Sequence, residues 1–162
     1  MMKVIVALDL TDNAKQIVDS LGQRKWPFGT AFRLLTVIEP SHFAGPLSPQ
    51  LQKALYELNQ RQHQVAYERL MKGKQELEAL VPGCSVHLDI RHGDPRIEIL
   101  ESATDWMCDK IILGAHGRGG NRLLPGSTFK AVLRSSPCSV ELVRLHEHRN
   151  RPESLQSAAA LR

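Results

Sequence analysis

Residues Lys110 to Val132 read KIILGAHGRGGNRLLPGSTFKAV, and the rest of the chain is best interpreted outward from this stretch. Its apolar beginning, Ile111-Ile112-Leu113, predicts a short buried strand, and Gly126-Ser127-Thr128 predicts the start of a helix. The loop between them is rich in glycine, which accepts positive φ and lets backbone amides approach a ligand closely. A helix start adds unpaired N–H groups and the positive end of a dipole. This order of elements predicts a site for an anion.

The spacing of the glycines excludes two common types of phosphate loop. A Walker loop would require Gly-x4-Gly-Lys-Ser/Thr, and a dinucleotide fingerprint would require Gly-x-Gly-x2-Gly directly after the first strand. Neither motif is present in the sequence. The first turn of the predicted helix carries Lys130 and no acid, which favours a bound phosphate over an empty helix end.

The beginning of the chain predicts a βαβ unit. Val4 to Leu8 is a continuous apolar run typical of a strand buried on both faces, and Asp9 follows it directly. Phe32 to Ile38 predicts a second buried strand. Between the two strands, four apolar residues recur at helical spacing, namely Ala14, Ile17, Val18 and Leu21. A strand, a helix and a strand in this order imply a right-handed parallel crossover.

The middle of the chain predicts a loop over Glu39 to Gln50 and a long helix over Leu51 to Leu80. We expect the buried face of this helix to carry Leu51, Leu55, Leu58, Val65 and Leu77. The next segment alternates Val86, Leu88 and Ile90 with His87, Asp89 and Arg91, which predicts an edge strand with one wet face.

The remaining elements complete an α/β domain. Gly93-Asp94-Pro95 predicts a capped helix start, followed by a helix whose apolar positions are Ile97, Leu100, Ala103 and Met107. Pro137 to Arg144 predicts a fifth strand. We therefore expect a three-layer open sheet of five parallel strands in the order 3-2-1-4-5, with helices on both faces. Residues 1–144 form a single domain in this prediction, and 145–162 form a basic, flexible tail, of which the part beyond Arg149 is mobile or held by a partner chain.

Composition excludes several classes of protein. The chain has 162 residues, of which 42% are hydrophobic and 23% charged, as expected for one globular domain. It has no run approaching the roughly 18 apolar residues of a membrane helix, and it begins without a signal-peptide pattern, so a cytoplasmic location without membrane association is expected. Three widely spaced cysteines indicate neither a disulfide framework nor a zinc site. Four arginines at the end of the chain, Arg144, Arg149, Arg151 and Arg162, contribute to the net charge of +4, and with 5% aromatic residues nucleic acid is not an expected partner.

The glycine-rich stretch resembles the nucleotide loop of the universal stress protein family. The family pattern is Gly-x2-Gly-x9-Gly-Ser/Thr; here Gly114-x2-Gly117 is followed by eight residues and then Gly126-Ser127, one residue fewer. His116-Gly117-Arg118-Gly119-Gly120, the turn Gly93-Asp94-Pro95 and the final Pro137-Cys138-x-Val140 also look like this family. The resemblance covers residues 1 to 144.

The resemblance implies an adenine nucleotide, ATP in the first instance, with or without Mg²⁺. Val37 and Leu113 would flank the adenine, and the glycines with Ser127 and Thr128 would hold ribose and phosphates. Arg118 is added because a guanidinium can pair with two phosphate oxygens. The complete predicted site is Ala7, Asp9, Val37, Leu113, Gly114, Gly117, Arg118, Gly126, Ser127 and Thr128. The family also implies a homodimer formed through the fifth strand, Ser139 to Arg144.

Three functions remain open from the sequence. The first is a nucleotide-binding stress protein that uses ATP as a ligand or as a slowly hydrolysed signal. The second is a nucleotide-free member that acts through dimerisation and protein contacts. The third is an adenylating or pyrophosphatase enzyme on a related fold, but Ala7 to Asp12 lacks the Ser-Gly-Gly loop of such enzymes. His116 has no partner at catalytic spacing, so no catalytic residue is assigned, and no metal ligand is assigned either. Asp9 is as good a candidate for a helix cap as for a ligand contact.

Overall fold

The computed structural model describes residues 1–9, 13–40, 46–114 and 126–143. Along the chain, these residues form β1 (Lys3–Ala7), α1 (Asn13–Gly22), β2 (Ala31–Ile38), α2 (Pro49–Leu80), β3 (Ser85–His92), α3 (Pro95–Trp106), β4 (Lys110–Gly114), α4 (Ser127–Ser135) and β5 (Ser139–Val143). The predicted tail, 145–162, and Arg144 of the predicted fifth strand lie outside the described residues.

The sheet has the predicted topology. Its order is β3-β2-β1-β4-β5, and all four neighbouring pairs are parallel. β1 is central, because Ala7 is paired with Leu35 of β2 on one side and with Leu113 of β4 on the other. The continuous apolar runs noted in the sequence are the central strands, which need apolar side chains on both faces.

Helices cover both faces of the sheet and bury two separate apolar layers. Alternation along β1 divides its side chains, so that Val4 and Val6 point to one layer and Ile5 to the other. The first layer contains Ile17, Val18 and Leu21 of α1 with Leu70 and Leu77 of α2. The second contains Ile99 and Ala103 of α3 with Val132 of α4.

The start and the buried face of α2 differ from prediction. The helix begins at Pro49, two residues before Leu51, because Ser48 caps it and Pro49 suits its first position. Its buried residues are Ala66, Leu70, Gly73 and Leu77. Of the predicted face, Leu77 is buried and Leu55 half-buried, whereas Leu51, Leu58 and Val65 are 37%, 43% and 37% exposed.

Length explains why the first half of α2 is uncovered. A helix of 32 residues is about 48 Å long, whereas the 8-residue strands β2 and β3 extend for about 26 Å. The apolar spacing before Val65 therefore continues beyond the region in which the sheet can bury it. In the described part of the chain, no helix combines the length and the apolar character needed to cross a membrane.

The face of α3 is also rotated from the predicted one. Asp94 caps the helix and Pro95 occupies its first turn, as predicted. The buried residues are Ile99, Ser102 and Ala103, while Ile97 is 54% and Met107 76% exposed. Met107 ends the helix in the left-handed conformation at φ 49°, which turns its side chain away from the core.

The face of β3 predicted to be wet is instead partly covered by α3. Asp89 and Arg91 are half-buried there. The carboxylate of Asp89 accepts hydrogen bonds from Arg91 Nε and Ser102 Oγ, both at 3.0 Å. Arg33 donates to Ser102 Oγ at 3.1 Å and lies 4.4 Å above the ring of Trp106. Of the three predicted polar residues, His87 is exposed as predicted, whereas Asp89 and Arg91 form an ion-pair network under α3 rather than a solvent-facing surface.

Candidate functional site

The carboxyl ends of β1, β2 and β4 bring three predicted site residues to one face of the sheet. Ala7 is paired with Leu113 across the ladder. Val37 follows Leu35, the other partner of Ala7, by two residues, so it points to the same side. All three belong to the layer under α3 and α4, where Leu113 is buried and Ala7 and Val37 are partly buried. Open α/β sheets bind ligands at this edge, and these side chains offer an apolar surface there.

Asp9 leaves β1 in a direction fixed by hydrogen bonds. The amide of Leu8 donates to the carbonyl of Leu35 at 2.8 Å. The carbonyl of Leu8 accepts from the buried hydroxyl of Thr36, also at 2.8 Å. Asp9 is half-buried and its Oδ2 atom is shielded from solvent. The alternative role of Asp9 as a helix cap involves residues 10–12, which lie outside the described residues.

Thr36 is a contributor to this edge that sequence reasoning missed. It is 2% exposed in a strand whose other polar residue is Arg33. Burying a hydroxyl is favourable only when it is hydrogen-bonded, and its partner here is the backbone just before Asp9. The available signal was an uncharged polar residue placed between Leu35 and Val37 in a strand predicted to be buried.

The start of α4 leaves backbone amides available. Gly126 is the N-cap residue, with φ −60° and ψ 162°, and no side-chain cap is formed there. The first backbone bond runs from Lys130 N to the carbonyl of Gly126 at 3.2 Å, so the amides of Ser127, Thr128 and Phe129 have no acceptor within the helix. The first turn contains no acidic residue. This helix end is therefore electrostatically suited to an anion.

The described residues leave space open beside Gly126. Apart from Gly126 itself and its two chain neighbours, none of their atoms lies within 4 Å of the position that a Cβ would occupy. Its φ of −60° is accessible to every residue, so the glycine is not required by backbone strain. The absence of a side chain instead keeps a volume free beside the exposed amides, as the close approach of a phosphate would require.

The start of α3 is arranged differently. Gly93 N donates to the carbonyl of Ile38 at 3.1 Å, which holds this turn at the end of β2. Asp94 Oδ1 accepts from the backbone amide of Arg96 at 2.9 Å, and Arg96 Nε donates to the same atom at 2.9 Å. These hydrogen bonds lower the pKa of Asp94 to about 2. A carboxylate from the chain itself therefore occupies this helix end.

The structure does not describe every residue of the predicted site. Gly117 and Arg118, together with His116 and Arg122, lie in the range 115–125, outside the described residues, and their roles stay predictions. Gly114 ends β4 and is half-buried. In the part of the chain that the structure describes, no group of three or more His, Cys, Asp or Glu side chains is placed to hold a metal ion.

Comparison with known proteins gives a consistent assignment. Residues 1–144 match the family model described as the universal stress protein family. Universal stress protein A homolog 2 of Coxiella burnetii is 40% identical over 78 residues, which amount to 48% of this chain and 53% of that protein. The aligned region thus spans about half the length of that curated relative.

Solved structures share the fold at lower sequence identity. The universal stress protein UspA from Lactobacillus plantarum superposes with a TM-score of 0.72 at 24% identity, covering 88% of this chain and 97% of that one. A universal stress protein from Arabidopsis thaliana with AMP bound gives 0.61 at 14% identity, covering 94% and 98%. A universal stress protein in complex with cAMP gives 0.57 at 21% identity, covering 90% and 98%. At these identities the likeness concerns the fold alone, but the family model spans nearly the whole described chain, and the chain belongs to the universal stress protein family.

Proposed function

We propose that this chain binds an adenine nucleotide, ATP in the first instance, at the carboxyl edge of β1 and β4. The observation that carries the proposal is the open N-terminus of α4, which has no side-chain cap and no acid in its first turn. The apolar side chains of Ala7, Val37 and Leu113 lie at the same edge of the sheet. Two proteins with this fold were solved with AMP and cAMP, both adenine nucleotides.

Each end of the nucleotide has a suitable surface in this arrangement. Val37 and Leu113 offer apolar contacts for the adenine ring, whose burial is favoured by the hydrophobic effect. The amides of Ser127 and Thr128 donate to phosphate oxygens. Asp9 accepts a hydrogen bond from the sugar or contributes an oxygen toward Mg²⁺ when the nucleotide brings one. Gly114, Gly117 and Arg118 complete the site in the proposal, through close backbone approach and a bidentate guanidinium.

The shortened glycine loop determines which nucleotide is held best. One residue fewer than the family pattern between Gly117 and Gly126 can be absorbed within Asn121 to Pro125, before the helix begins. Binding then survives, with a weaker hold on the terminal phosphate. ATP and ADP are therefore expected to bind with similar affinity.

Titration calorimetry of the full chain with ATP, ADP and AMP tests this proposal. We expect saturable heat with all three nucleotides and little gain from ADP to ATP. Inorganic triphosphate, which has neither adenine nor ribose, is the control. It should bind more weakly than ATP because it lacks the adenine contacts. No heat with any nucleotide at millimolar concentration would overturn the proposal and favour a nucleotide-free function through protein contacts.

A homodimer formed through β5 is the second part of the proposal. β5 is one of the two outer strands of the sheet, and Val140 and Leu142 on it are only half-buried. An outer strand exposes unpaired backbone groups that a second copy can pair with. Glu141 is directed inward, where it pairs with Arg24 and accepts a hydrogen bond from Lys110 at 3.2 Å. Light scattering should give twice the chain mass; a monomer mass at high concentration would contradict the dimer.

A cytoplasmic location belongs to the same proposal. Fractionation of the cells that express the chain would test it, and recovery in the membrane fraction would contradict it.

A further inference from the structure

Two cysteines meet at the opposite end of the sheet from the candidate nucleotide site. Cys108 lies two residues before β4, and Cys138 directly precedes β5. Their Sγ atoms are 3.3 Å apart. Cys108 is 8% exposed, whereas Cys138 is half-buried and therefore more accessible. Both pack in the layer under α3 and α4, while Cys84 packs in the other layer, under α1 and α2.

The backbone places the two cysteines within the range that a disulfide requires. The ladder pairs Lys110 of β4 with Ser139 of β5. Cys108 and Cys138 therefore precede neighbouring strands and are one position out of register. A strand spacing of about 4.8 Å and a rise of about 3.3 Å give a Cα separation of about 6 Å, within the usual disulfide range. Closing the sulfur contact to a bond thus needs only a small side-chain movement.

Local hydrogen bonds hold Cys138 in place. Ser136 Oγ donates to the carbonyl of Cys138 at 3.0 Å and accepts from its amide at 3.2 Å. The same hydroxyl lies 3.5 Å from the Cys138 sulfur. A serine that fixes the backbone beside a partly accessible thiol restricts the positions that the sulfur can adopt. Among the described residues, the sulfur that lies next to the Cys138 sulfur is that of Cys108.

We propose that Cys108 and Cys138 form a reversible intramolecular disulfide when a peroxide oxidises the chain. Cys138, the accessible thiol, attacks hydrogen peroxide as its thiolate; an S–O bond forms, the O–O bond breaks, and the departing hydroxide takes a proton to become water. Cys108 then gives up its proton and attacks the Cys138 sulfur. The S–S bond forms as the S–O bond breaks, and a second water leaves. Two thiols lose two hydrogens, and one peroxide is reduced to two waters.

The assignment of roles follows from the environment of each thiol. Burial, assisted by the contact with Cys138, raises the pKa of Cys108 to about 12. A thiol reacts as its thiolate, so Cys108 is a slow attacker and suits the second, intramolecular step, in which proximity compensates. The rate of disulfide formation should accordingly rise as the pH is increased above neutrality.

The disulfide would enclose the segment that carries the glycine loop. Cys108 and Cys138 are 30 positions apart in sequence, and β4, residues 115–125 and α4 lie between them. A cross-link over such a segment reduces the conformational entropy of the unfolded chain. We therefore expect the oxidised chain to melt at a higher temperature than the reduced chain, and reductant to restore the lower value.

Mass spectrometry of the full chain after treatment with hydrogen peroxide tests the proposal. The expected result is a loss of about 2 Da, the mass of two hydrogens, and a non-reduced digest in which the Cys108 and Cys138 peptides remain linked. Dithiothreitol should reverse both changes. Because the peptides are identified in the unmodified sequence, this result does not depend on the folding of any variant.

Cysteine variants sharpen the test. Cys84→Ser is the matched control and should still form the cross-link, since Cys84 lies in the other core layer. Cys138→Ser should lose it completely. The proposal is overturned if the Cys108 and Cys138 peptides of the wild-type chain separate without reductant, if Cys138 gains two oxygens instead, or if the disulfide joins two chains.

Discussion

The two helices on the same face of the sheet, α3 and α4, begin in opposite ways. At α3, the carboxylate of Asp94 accepts from the Arg96 amide at 2.9 Å. Glu98 adds a second acid to the first turn. At α4, Gly126 contributes no side chain, and the first turn has no acid. Both helices return from the carboxyl edge of a parallel sheet, so both direct their N-termini toward that edge.

This difference separates a structural helix end from one available to a ligand. The exposed amides of a helix start require an acceptor, and at α3 the chain provides it. At α4 no side-chain cap is formed, so water or a bound anion can act as the acceptor. We therefore expect substitutions at the two helix starts to affect different properties. Those at Gly126 of α4 should change nucleotide binding, and those at Asp94 of α3 should change stability.

The largest effect is expected from Gly126→Asp, which gives α4 the cap that α3 already has. The new carboxylate would occupy the open volume beside Gly126 and repel phosphate. Affinity for ATP should fall about 100-fold, equivalent to about 2.7 kcal/mol. The free energy of unfolding should rise by about 0.3 kcal/mol, because aspartate caps better than glycine. Calorimetry and urea unfolding measure the two quantities.

Gly126→Asn is the matched control for charge. Asparagine caps a helix as well as aspartate does but carries no negative charge, so its loss of affinity should be clearly smaller. Gly126→Val adds bulk without a cap; it should weaken binding by filling the open volume, without backbone strain, since φ is −60° there. Unchanged affinity in Gly126→Asp would show that the phosphates lie elsewhere.

Asp94→Ala should produce the converse result at α3. The Arg96 amide loses its acceptor, so the thermal midpoint should fall. ATP affinity should stay within twofold of wild type by calorimetry, a change of less than about 0.4 kcal/mol. A large loss of affinity in a folded Asp94→Ala chain would contradict the distinction between the two helix ends.

A smaller, pH-dependent effect should identify the contribution of Asp94. Its pKa is about 2 in the folded chain, compared with about 3.9 for an unfolded aspartate. Because the folded value is lower, the contribution is fully present above about pH 4 and is lost as the pH falls toward 2. The stability difference between wild type and Asp94→Asn should therefore shrink from pH 5 to pH 3 in urea unfolding. A constant difference would argue against the charged cap.

The smallest effect is expected from Lys130→Gln. This exposed lysine lies in the first turn of α4, where a positive charge is mildly unfavourable unless an anion is bound. ATP affinity should decrease about twofold to threefold at low salt, and the difference should vanish at about 1 M salt, where exposed charges are screened. A difference that persists at high salt would indicate a direct contact instead.

The sequence predicted the topology because the decisive patterns are local. Val4 to Leu8 could be assigned to a strand buried on both faces from its unbroken apolar composition. Gly93-Asp94-Pro95 could be assigned to a helix start because each of its residues has a specific conformational preference. The predicted order of the strands rested on the βαβ succession and on the alternating pattern that marks the third strand as an edge strand.

Burial was less predictable, because it depends on what lies opposite each residue. Leu51 and Leu58 have the spacing of a buried face, but α2 extends further than the strands beneath it. Asp89 and Arg91 alternate like solvent-facing residues, but Arg33 and Ser102 provide partners under α3. The contact between Cys108 and Cys138 depends on the register of β4 and β5, which the spacing of cysteines cannot show.

The central claim is that nucleotide phosphates bind at α4 and not at α3. Amide nuclear magnetic resonance of the full chain during titration with ATP tests it most directly, because each helix start reports separately. The account predicts large, saturable shifts for the amides of Ser127, Thr128 and Phe129, and unchanged positions for those of Arg96 and Ile97. Shifts at Arg96 and Ile97 without shifts at Ser127 and Thr128, or no shifts at millimolar ATP, would contradict it.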